Sequence, residues 1–147
     1  MAGMLPDLTL TPGGQFGIYI HVPFCATRCG YCDFNTYTPG ELGGASASGP
    51  AGWLDALRTE LALAARLLPA PTVDTVFVGG GTPSLLGATG LADVLTAVRD
   101  NFAVAGGAEI TTEANPESTS PRFFDALVAA GFTRVSLGMQ SVAPAVL

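Results

Sequence analysis

The chain has 147 residues, of which 48% are hydrophobic and 12% are charged, and its formal net charge is −6. This apolar content is sufficient for one domain with a sizeable core, and it excludes an intrinsically disordered chain. The six basic residues are all Arg and are scattered along the sequence, so no basic stripe is available to neutralise phosphates and nucleic-acid binding is disfavoured.

Residues 1–15 are predicted to form a loose arm, because Pro6, Pro12, Gly13 and Gly14 interrupt them. The arm shows neither the basic n-region of a signal peptide nor an apolar run long enough to cross a membrane. We therefore expect a cytoplasmic protein, in a compartment that keeps thiols reduced.

The segment 16–22 alternates between apolar and polar positions, which predicts a strand with one apolar face. The apolar face carries Ile18, Ile20 and Val22, and the opposite face carries Tyr19 and His21. A cysteine-containing loop follows this strand. Residues 38–52 are rich in Gly, Ser, Ala and Pro and are interpreted as a flexible linker.

The rest of the chain alternates helical and strand patterns. Helices are predicted over 54–68, ended by Pro69, and over 91–102, and strands over 73–78, 108–113 and 133–139. A third helix begins at Ser120 and Pro121, a capping residue followed by Pro, and stops at Gly131. Its expected buried face is Phe124, Leu127 and Val128.

The last two strands are predicted to have one polar face each. Glu109, Thr111 and Glu113 share a face of the third strand, opposite Ile110. In the fourth strand one face holds Arg134, Ser136, Gly138 and Gln140, while Val135, Leu137 and Met139 are expected to pack in the core. Small residues on the polar face leave space for a ligand.

The predicted order is βαβαβαβ, which indicates an α/β fold with a parallel sheet. The polar motifs follow the strands, at the edge where such folds build their active sites. The final apolar strand would be a sheet edge, which favours aggregation when it is exposed. We therefore expect residues 16–147 to be the N-terminal portion of a larger core domain, truncated after the fourth strand; a compact open sheet, complete as it stands, is the alternative.

The three cysteines of the chain, Cys25, Cys29 and Cys32, form a C-x3-C-x2-C motif. Their odd number disfavours disulfides, but a Cys3His zinc site that includes His21 is a real alternative. Three thiolates on one loop would hold three irons of a four-iron, four-sulfur (4Fe-4S) cluster and leave the fourth iron open. An open iron can bind a substrate or a cofactor directly, so the spacing indicates catalysis more than electron storage.

This motif, with Tyr31 just before its last cysteine, resembles the signature of the radical S-adenosylmethionine (radical SAM) superfamily. Five separate motifs around and after it, in the expected order, strengthen the resemblance, and the set is similar to the oxygen-independent coproporphyrinogen III oxidase-like group. The motifs, with the residues leading into the cysteines, are Tyr19-Ile-His-Val-Pro-Phe-Cys25, Cys32-Asp-Phe34, Gly79-Gly-Gly-Thr-Pro-Ser84, Thr112-Glu-Ala-Asn-Pro116 and Ser136-Leu-Gly-Met-Gln-Ser141.

The resemblance implies a partial (βα) barrel and assigns roles to individual residues. Cys25, Cys29 and Cys32 would hold the cluster, and the open iron would bind the amino and carboxylate groups of S-adenosylmethionine. The residues implied to contact that cofactor are Tyr19, Tyr31, Gly80, Gly81, Thr82, Glu113 and Gln140. The role of His21 stays open between support of the cluster or cofactor and a structural strand end, and Arg28 is compatible with a merely solvated charge.

One difference separates two branches of the group. The dehydrogenases that make protoporphyrinogen IX carry a further Cys two residues after the third ligand, where this chain has Phe34. The sequence is therefore closer to the haem chaperone (HemW) branch, which implies haem, a haem-accepting protein and a low-potential electron donor as partners. The haem-binding motif of that branch is absent from these 147 residues and is expected further along a longer chain.

Overall fold

The computed structural model describes residues 10–11, 13–41 and 49–145, which form a four-stranded sheet connected by helices. The strands are β1 (Gly17–Val22), β2 (Val73–Gly80), β3 (Val104–Ala114) and β4 (Arg134–Leu137). The α-helices are α1 (Pro50–Leu67), α2 (Gly87–Asn101) and α3 (Pro121–Ala130), and short 3-10 helices cover Pro83–Leu86 and Pro116–Ser118.

The sheet is parallel throughout, with the strand order β1-β2-β3-β4. The predicted order βαβαβαβ is therefore confirmed. Val22 pairs with Gly80, and Ala114 pairs with Leu137, so the four strands end together. We call this the carboxyl edge of the sheet, and the segments that leave the strands there are brought close to one another.

One apolar core lies between the sheet and the helices. Helix α2 contacts both α1 and α3 and contributes fully buried side chains to the helical layer, among them Leu91, Leu95 and Val98. Val22, Val76 and Val78 face it from the sheet and are equally inaccessible. Each such side chain contributes about 1.5–3 kcal/mol relative to an exposed position. This layer fixes the strands whose ends carry the polar motifs.

Helix α1 begins at Pro50, inside the segment 38–52 that we expected to be a flexible linker. Proline suits the first turn of a helix, because its missing N–H would have no intrahelical partner there. The linker prediction is therefore wrong for residues 50–52. Residues 42–48 lie outside the described part. Residues 38–41 form a turn held by side-chain hydrogen bonds, which are described below.

Helix α3 confirms the predicted caps but corrects its buried face. The Ser120 hydroxyl accepts a hydrogen bond from Phe123 N at 3.2 Å, and Gly131 ends the helix with φ 102°. Phe123 and Leu127 are buried, whereas Val128 is 72% exposed. Residues four apart share a helix face, and Val128 lies one position round from Leu127, on the side that turns away from α2.

Strand β4 is shorter than predicted, and two of its three expected core residues are exposed. Val135 packs against the core, but Leu137 is 50% exposed and Met139 is 71% exposed. The expectation for these two residues is wrong because β4 is the last strand of the sheet, and no described element beyond it covers their face.

Of the predicted N-terminal arm, only residues 10–11 and 13–15 are described, and the remainder lies outside the described ranges. Among the helices of the described part, none combines the length and apolarity needed to cross a bilayer.

Candidate functional site

The three cysteines lie on the segment that leaves β1 at the carboxyl edge. Cys25 N donates a hydrogen bond to Tyr37 O at 3.0 Å, and Tyr37 N donates to Pro23 O at 2.7 Å. These bonds bring Phe24 and Tyr37 together in a parallel bridge. The chain is therefore closed at the base of residues 24–37, which we call the cysteine loop.

Arg28 connects the cysteine loop to the turn that follows it. Its guanidinium donates to Glu41 Oε1 and to Thr36 O, both at 3.2 Å. Glu41 Oε2 accepts hydrogen bonds from Thr38 N at 2.7 Å and from Thr38 Oγ1 at 2.9 Å. The Thr38 hydrogen bonds, followed by the Arg28 charge, hold the pKa of Glu41 below its ordinary value. Arg28 is thus an anchor of the loop and more than a solvated charge.

The thiols are free, with Cys25 and Cys32 partly exposed and Cys29 exposed. Across the described ranges, no group of three or more His, Cys, Asp or Glu side chains is arranged to hold a metal ion. The donor chemistry nevertheless fits an iron–sulfur cluster, because three thiolates share one short loop. Cys25 is in addition fixed beside β2, where Thr82 Oγ1 lies 3.9 Å from its sulfur.

The Gly-rich run after β2 is hydrogen-bonded to the start of the cysteine loop. Gly81 N donates to Val22 O at 2.8 Å, and Thr82 N donates to Phe24 O at 2.7 Å. These bonds continue the pairing of β1 with β2 beyond the sheet. The two segments therefore leave the carboxyl edge side by side.

Two glycines make this close approach possible. Gly80 has φ 116°, in a region that residues with a side chain rarely adopt. A Cβ atom on Gly81 would lie 2.5 Å from Phe24 O and 2.9 Å from Cys25 Sγ, which is closer than real Cβ contacts. Gly81 therefore lies so close to the first cysteine that any side chain at this position would clash with it.

Glu113, near the end of β3, holds the Gly-rich run from the other side. Its Oε2 accepts a hydrogen bond from Gly80 N at 3.1 Å. An ionised carboxylate has about four acceptor positions, so Glu113 keeps capacity for a ligand ammonium or hydroxyl group. The bond between Glu113 and Gly80 thus links the Gly-rich run to β3, and the bonds of Gly81 and Thr82 link it to the end of β1 and the start of the cysteine loop.

A cavity of about 180 Å³ opens at this point of the carboxyl edge. Five of the residues assigned from the sequence line it: Gly80, Gly81, Thr82, Glu113 and Gln140. Its walls also include Phe34, Asn115 and Ser136. The fold therefore brings residues from four separate segments of the sequence to one cavity.

Asn115 is the member of this cavity to which the sequence analysis gave no role. It stands two residues after Glu113, and the period-two alternation of a strand places such residues on the same side. That signal was available in the sequence, although Asn115 lies just beyond the end of β3.

Tyr19 and His21 form a hydrogen-bonded chain that leads to the cysteine loop. The distances are 2.9 Å from Tyr19 Oη to His21 Nδ1 and 2.7 Å from His21 Nε2 to Asn35 O. Because a carbonyl oxygen only accepts, Nε2 carries the proton and Nδ1 accepts from Tyr19. Both ring nitrogens are engaged, which disfavours His21 as the fourth ligand of a Cys3His zinc site.

Tyr19 and Tyr31 do not line the cavity. Tyr19 is 59% exposed and stacks on Phe77 with ring centroids 6.1 Å apart. Partial burial and the charge of Glu113 raise the pKa of Tyr19. Tyr31 is 71% exposed and lies beside Cys29. Cofactor contacts by these two residues stay predictions.

Comparison with known proteins agrees with this arrangement. Residues 19–147 match the family model of the Radical SAM superfamily. The match covers most of the chain and includes β1 from Tyr19 onward, the cysteine loop, the Gly-rich run and the three later strands. The chain belongs to the radical SAM superfamily.

Comparisons with three individual proteins are more specific than the superfamily match. "Heme chaperone HemW" of Mycobacterium tuberculosis is 67% identical over 143 residues, covering 97% of this chain and 36% of that protein. "Oxygen-independent coproporphyrinogen III oxidase" of Cereibacter sphaeroides is 36% identical over 138 residues, covering 92% and 29%. The solved structure of coproporphyrinogen III oxidase (HemN) from Escherichia coli, titled as a Radical SAM enzyme, has a TM-score of 0.78 at 30% identity, covering 90% and 30%.

The predicted family resemblance and α/β radical SAM fold are confirmed by these comparisons. The chain spans about a third of the length of the curated relatives it matches. The activity and partners of a whole protein are therefore matters for a proposal.

Proposed function

We propose that this chain is the part of a radical SAM haem chaperone that binds a 4Fe-4S cluster and S-adenosylmethionine. One observation carries the proposal: a Cβ on Gly81 would lie 2.9 Å from Cys25 Sγ, and the N–H of the neighbouring Gly80 donates to Glu113 Oε2 at 3.1 Å. The Gly-rich run therefore lies between the first thiol and Glu113, which lines the cavity.

Cys25, Cys29 and Cys32 would hold the cluster, with Cys25 as the ligand that the fold already places. When bound, such a cluster supplies the electron that cleaves S-adenosylmethionine and yields a 5′-deoxyadenosyl radical. The protein closes the loop base at Phe24 and Tyr37 and anchors the loop through Arg28. The base of the loop and its residue Arg28 are therefore held by contacts that need no metal.

S-adenosylmethionine would occupy the cavity at the carboxyl edge. Gly80, Gly81 and Thr82 present backbone to its amino group, and Glu113 offers a carboxylate for an ammonium or a hydroxyl group. Gln140 reaches the same cavity from beyond β4. Tyr19 and Tyr31 do not line this cavity, and we keep them as proposed cofactor contacts on the family resemblance alone.

The chaperone assignment rests on Phe34 and on the 67% identical relative named Heme chaperone HemW. Phe34 lines the cavity where the dehydrogenases carry a Cys, so an apolar ring replaces a thiol near the reacting centre. We propose haem and a haem-accepting protein as partners, and a low-potential electron donor. We also propose a cytoplasmic location, since reducing conditions keep the three thiols available for iron.

The test uses the full-length gene product, reconstituted without oxygen. It should bind about four irons and four sulfides per chain, as expected for a cubane cluster. Changing Cys25, Cys29 or Cys32 to Ala should abolish the cluster in each case. One zinc without sulfide in the purified protein would contradict the proposal and restore the zinc alternative.

A second assay separates the chaperone from its runner-up, an oxygen-independent coproporphyrinogen III oxidase. The runner-up is kept because a protein of that name is 36% identical to this chain. With reductant and S-adenosylmethionine, a chaperone should bind haem and leave coproporphyrinogen III unchanged. Stoichiometric conversion to protoporphyrinogen IX without haem binding would favour the runner-up.

A further inference from the structure

We propose that Ser84 is a positioning residue that fixes the backbone of Asn115 at the rim of the cofactor cavity. The inference rests on the proposed function, because the affinity that it sets is that for S-adenosylmethionine. Ser84 lies in the 3-10 helix after the Gly-rich run, and only 3% of its surface is exposed. Its side chain does not line the cavity, so its effect must pass through another residue.

The Ser84 hydroxyl belongs to a closed ring of hydrogen bonds. Asn115 N donates to Ser84 Oγ at 3.2 Å, and Ser118 Oγ donates to Asn115 O at 2.9 Å. The two hydroxyl oxygens are themselves within hydrogen-bonding distance. Since Ser118 already gives its proton to the carbonyl, Ser84 must donate to Ser118 Oγ. Every donor in the ring then has one acceptor.

This ring holds both polar groups of the Asn115 backbone. Asn115 N is bound by Ser84, and Asn115 O is bound by the hydroxyl and by the backbone N of Ser118, the latter at 3.0 Å. These bonds lie on the two successive peptide units that flank the Asn115 Cα, so neither unit can rotate without breaking a bond. Asn115 is exposed, but its N–H bond to the buried Ser84 is partly buried, so loss of that acceptor is costly. The ring therefore fixes the Asn115 backbone and, with it, the direction of the Asn115 Cα–Cβ bond.

The Asn115 side chain lies beside Gly138, the residue that follows β4. A Cβ on Gly138 would lie 3.2 Å from Asn115 Oδ1, and Gly138 N donates to Ala114 O at 3.0 Å. Ser84, after β2, thus positions the backbone of Asn115, after β3. The preceding residue, Ala114, is hydrogen-bonded to Gly138, two residues before Gln140. Ser84 is the buried link between the Gly-rich run and the far wall of the cavity.

The test measures S-adenosylmethionine binding to the full-length, cluster-loaded protein. Ser84→Ala removes one oxygen atom and leaves Asn115 N without its acceptor. We expect its Kd for S-adenosylmethionine to rise about tenfold, equivalent to about 1.4 kcal/mol. In reductive cleavage of the cofactor, KM should rise similarly while kcat stays within about twofold, and the iron content should not change.

Amide hydrogen exchange measures the bond between Asn115 N and Ser84 in the absence of ligand. Exchange at Asn115 should accelerate in Ser84→Ala, while exchange in α2 stays unchanged. The matched control is Thr96→Ala, which removes a hydroxyl bonded to Ala92 O at 2.9 Å on the exposed side of α2. Ser118→Ala serves as a second variant if Ser84→Ala fails to fold, and its Kd should also exceed that of the control.

The outcomes separate two failures. If the wild type binds S-adenosylmethionine and Ser84→Ala binds it equally well, this inference is overturned and the proposed function stands. The same holds if Asn115 exchange is unchanged, or if kcat falls as much as KM rises. If the loaded wild type does not bind the cofactor, the proposed function is wrong and this inference is overturned with it.

Discussion

Gly81→Ala is the sharpest test of the way in which the fold positions the first cysteine. The added Cβ would lie 2.5 Å from Phe24 O and 2.9 Å from Cys25 Sγ. The nearer atom belongs to the backbone, which cannot rotate aside as a side chain can. That carbonyl also accepts the hydrogen bond from Thr82 N at 2.7 Å, so moving it breaks the link between the two loops.

The cost follows from the size of the clash. Ordinary van der Waals contact begins near 3.4 Å, so Phe24 O must move by nearly an ångström. Overpacking of this kind costs about 1–3 kcal/mol. For a chain of about 150 residues each kcal/mol lowers Tm by about 2–4 °C, which gives about 2–12 °C in total. Cys25 is displaced with its neighbour, so cluster binding should suffer together with stability.

The assay compares Gly81→Ala with Gly106→Ala, whose Cβ would meet nothing within 4 Å. Both glycines lie outside the region of positive φ, so only the space around them differs. We expect Gly81→Ala to show a lower Tm and substoichiometric iron after anaerobic reconstitution, and Gly106→Ala to match the wild type. Equal Tm and equal iron in the two variants would refute the packing argument and leave the Gly-rich run as an ordinary turn.

Two further predictions concern carboxylates of β3. Glu113→Ala should weaken S-adenosylmethionine binding by about tenfold or more, because it removes the acceptor of Gly80 N and a carboxylate from the cavity. The iron content of the cluster should stay unchanged. Unchanged affinity, measured by equilibrium dialysis, would make Glu113 purely structural. Hydrogen bonds from Thr111 and Arg134 lower the pKa of Glu109. The stability that ionised Glu109 contributes is therefore fully present above the ordinary glutamate pKa of about 4.3 and is lost as the pH falls through the lowered pKa of the folded protein. Glu109→Gln should therefore flatten the acid limb of Tm against pH at low salt, and identical acid limbs would contradict this.

The sequence predicted the fold well because the strands and helices have different periods. The apolar alternation in β1 and the helical spacing in α2 were sufficient to place both elements. The strand β3 was predicted to begin at Ala108 but begins at Val104, because Gly106 and Gly107 disfavour a strand by local propensity. Its early pairing with β2, with a register shift between Val73 and Thr75, supplies the order that the local sequence lacks.

Exposure was harder to predict than structure. Val128, Leu137 and Met139 have apolar side chains at plausible core positions, yet each is at least half exposed. The sequence pattern gives the direction of a side chain within its own element, but not whether a neighbour lies on that side. The same limitation applies to Ser84, whose proposed role depends on a hydrogen bond to Asn115, 31 residues further along the chain.

Under the proposed function, the candidate site divides into a part that the fold builds and a part that iron would complete. Cys25 is held by Gly81, by Thr82 and by the closed base of the cysteine loop, independently of any metal. No such packing is seen at Cys29, which is exposed, and within the described residues the thiols do not form a metal-holding group. Metal binding can supply ordering free energy that a chain lacks.

The cysteine loop is anchored at two places. The hydrogen bonds of Tyr37 close its base, and those of Arg28 to Thr36 and Glu41 hold the chain between Cys25 and Cys29. Cys29 O accepts a hydrogen bond from Cys32 N at 3.1 Å, which adds a short turn between the second and third cysteines. Apart from Phe34, which belongs to this loop, the cavity wall is held by other segments: Glu113 binds Gly80 N, and Ser84 binds Asn115 N. If the chain binds as proposed, iron would have only the cysteine loop to order, and S-adenosylmethionine would enter a cavity whose walls around Gly80 and Asn115 are already held.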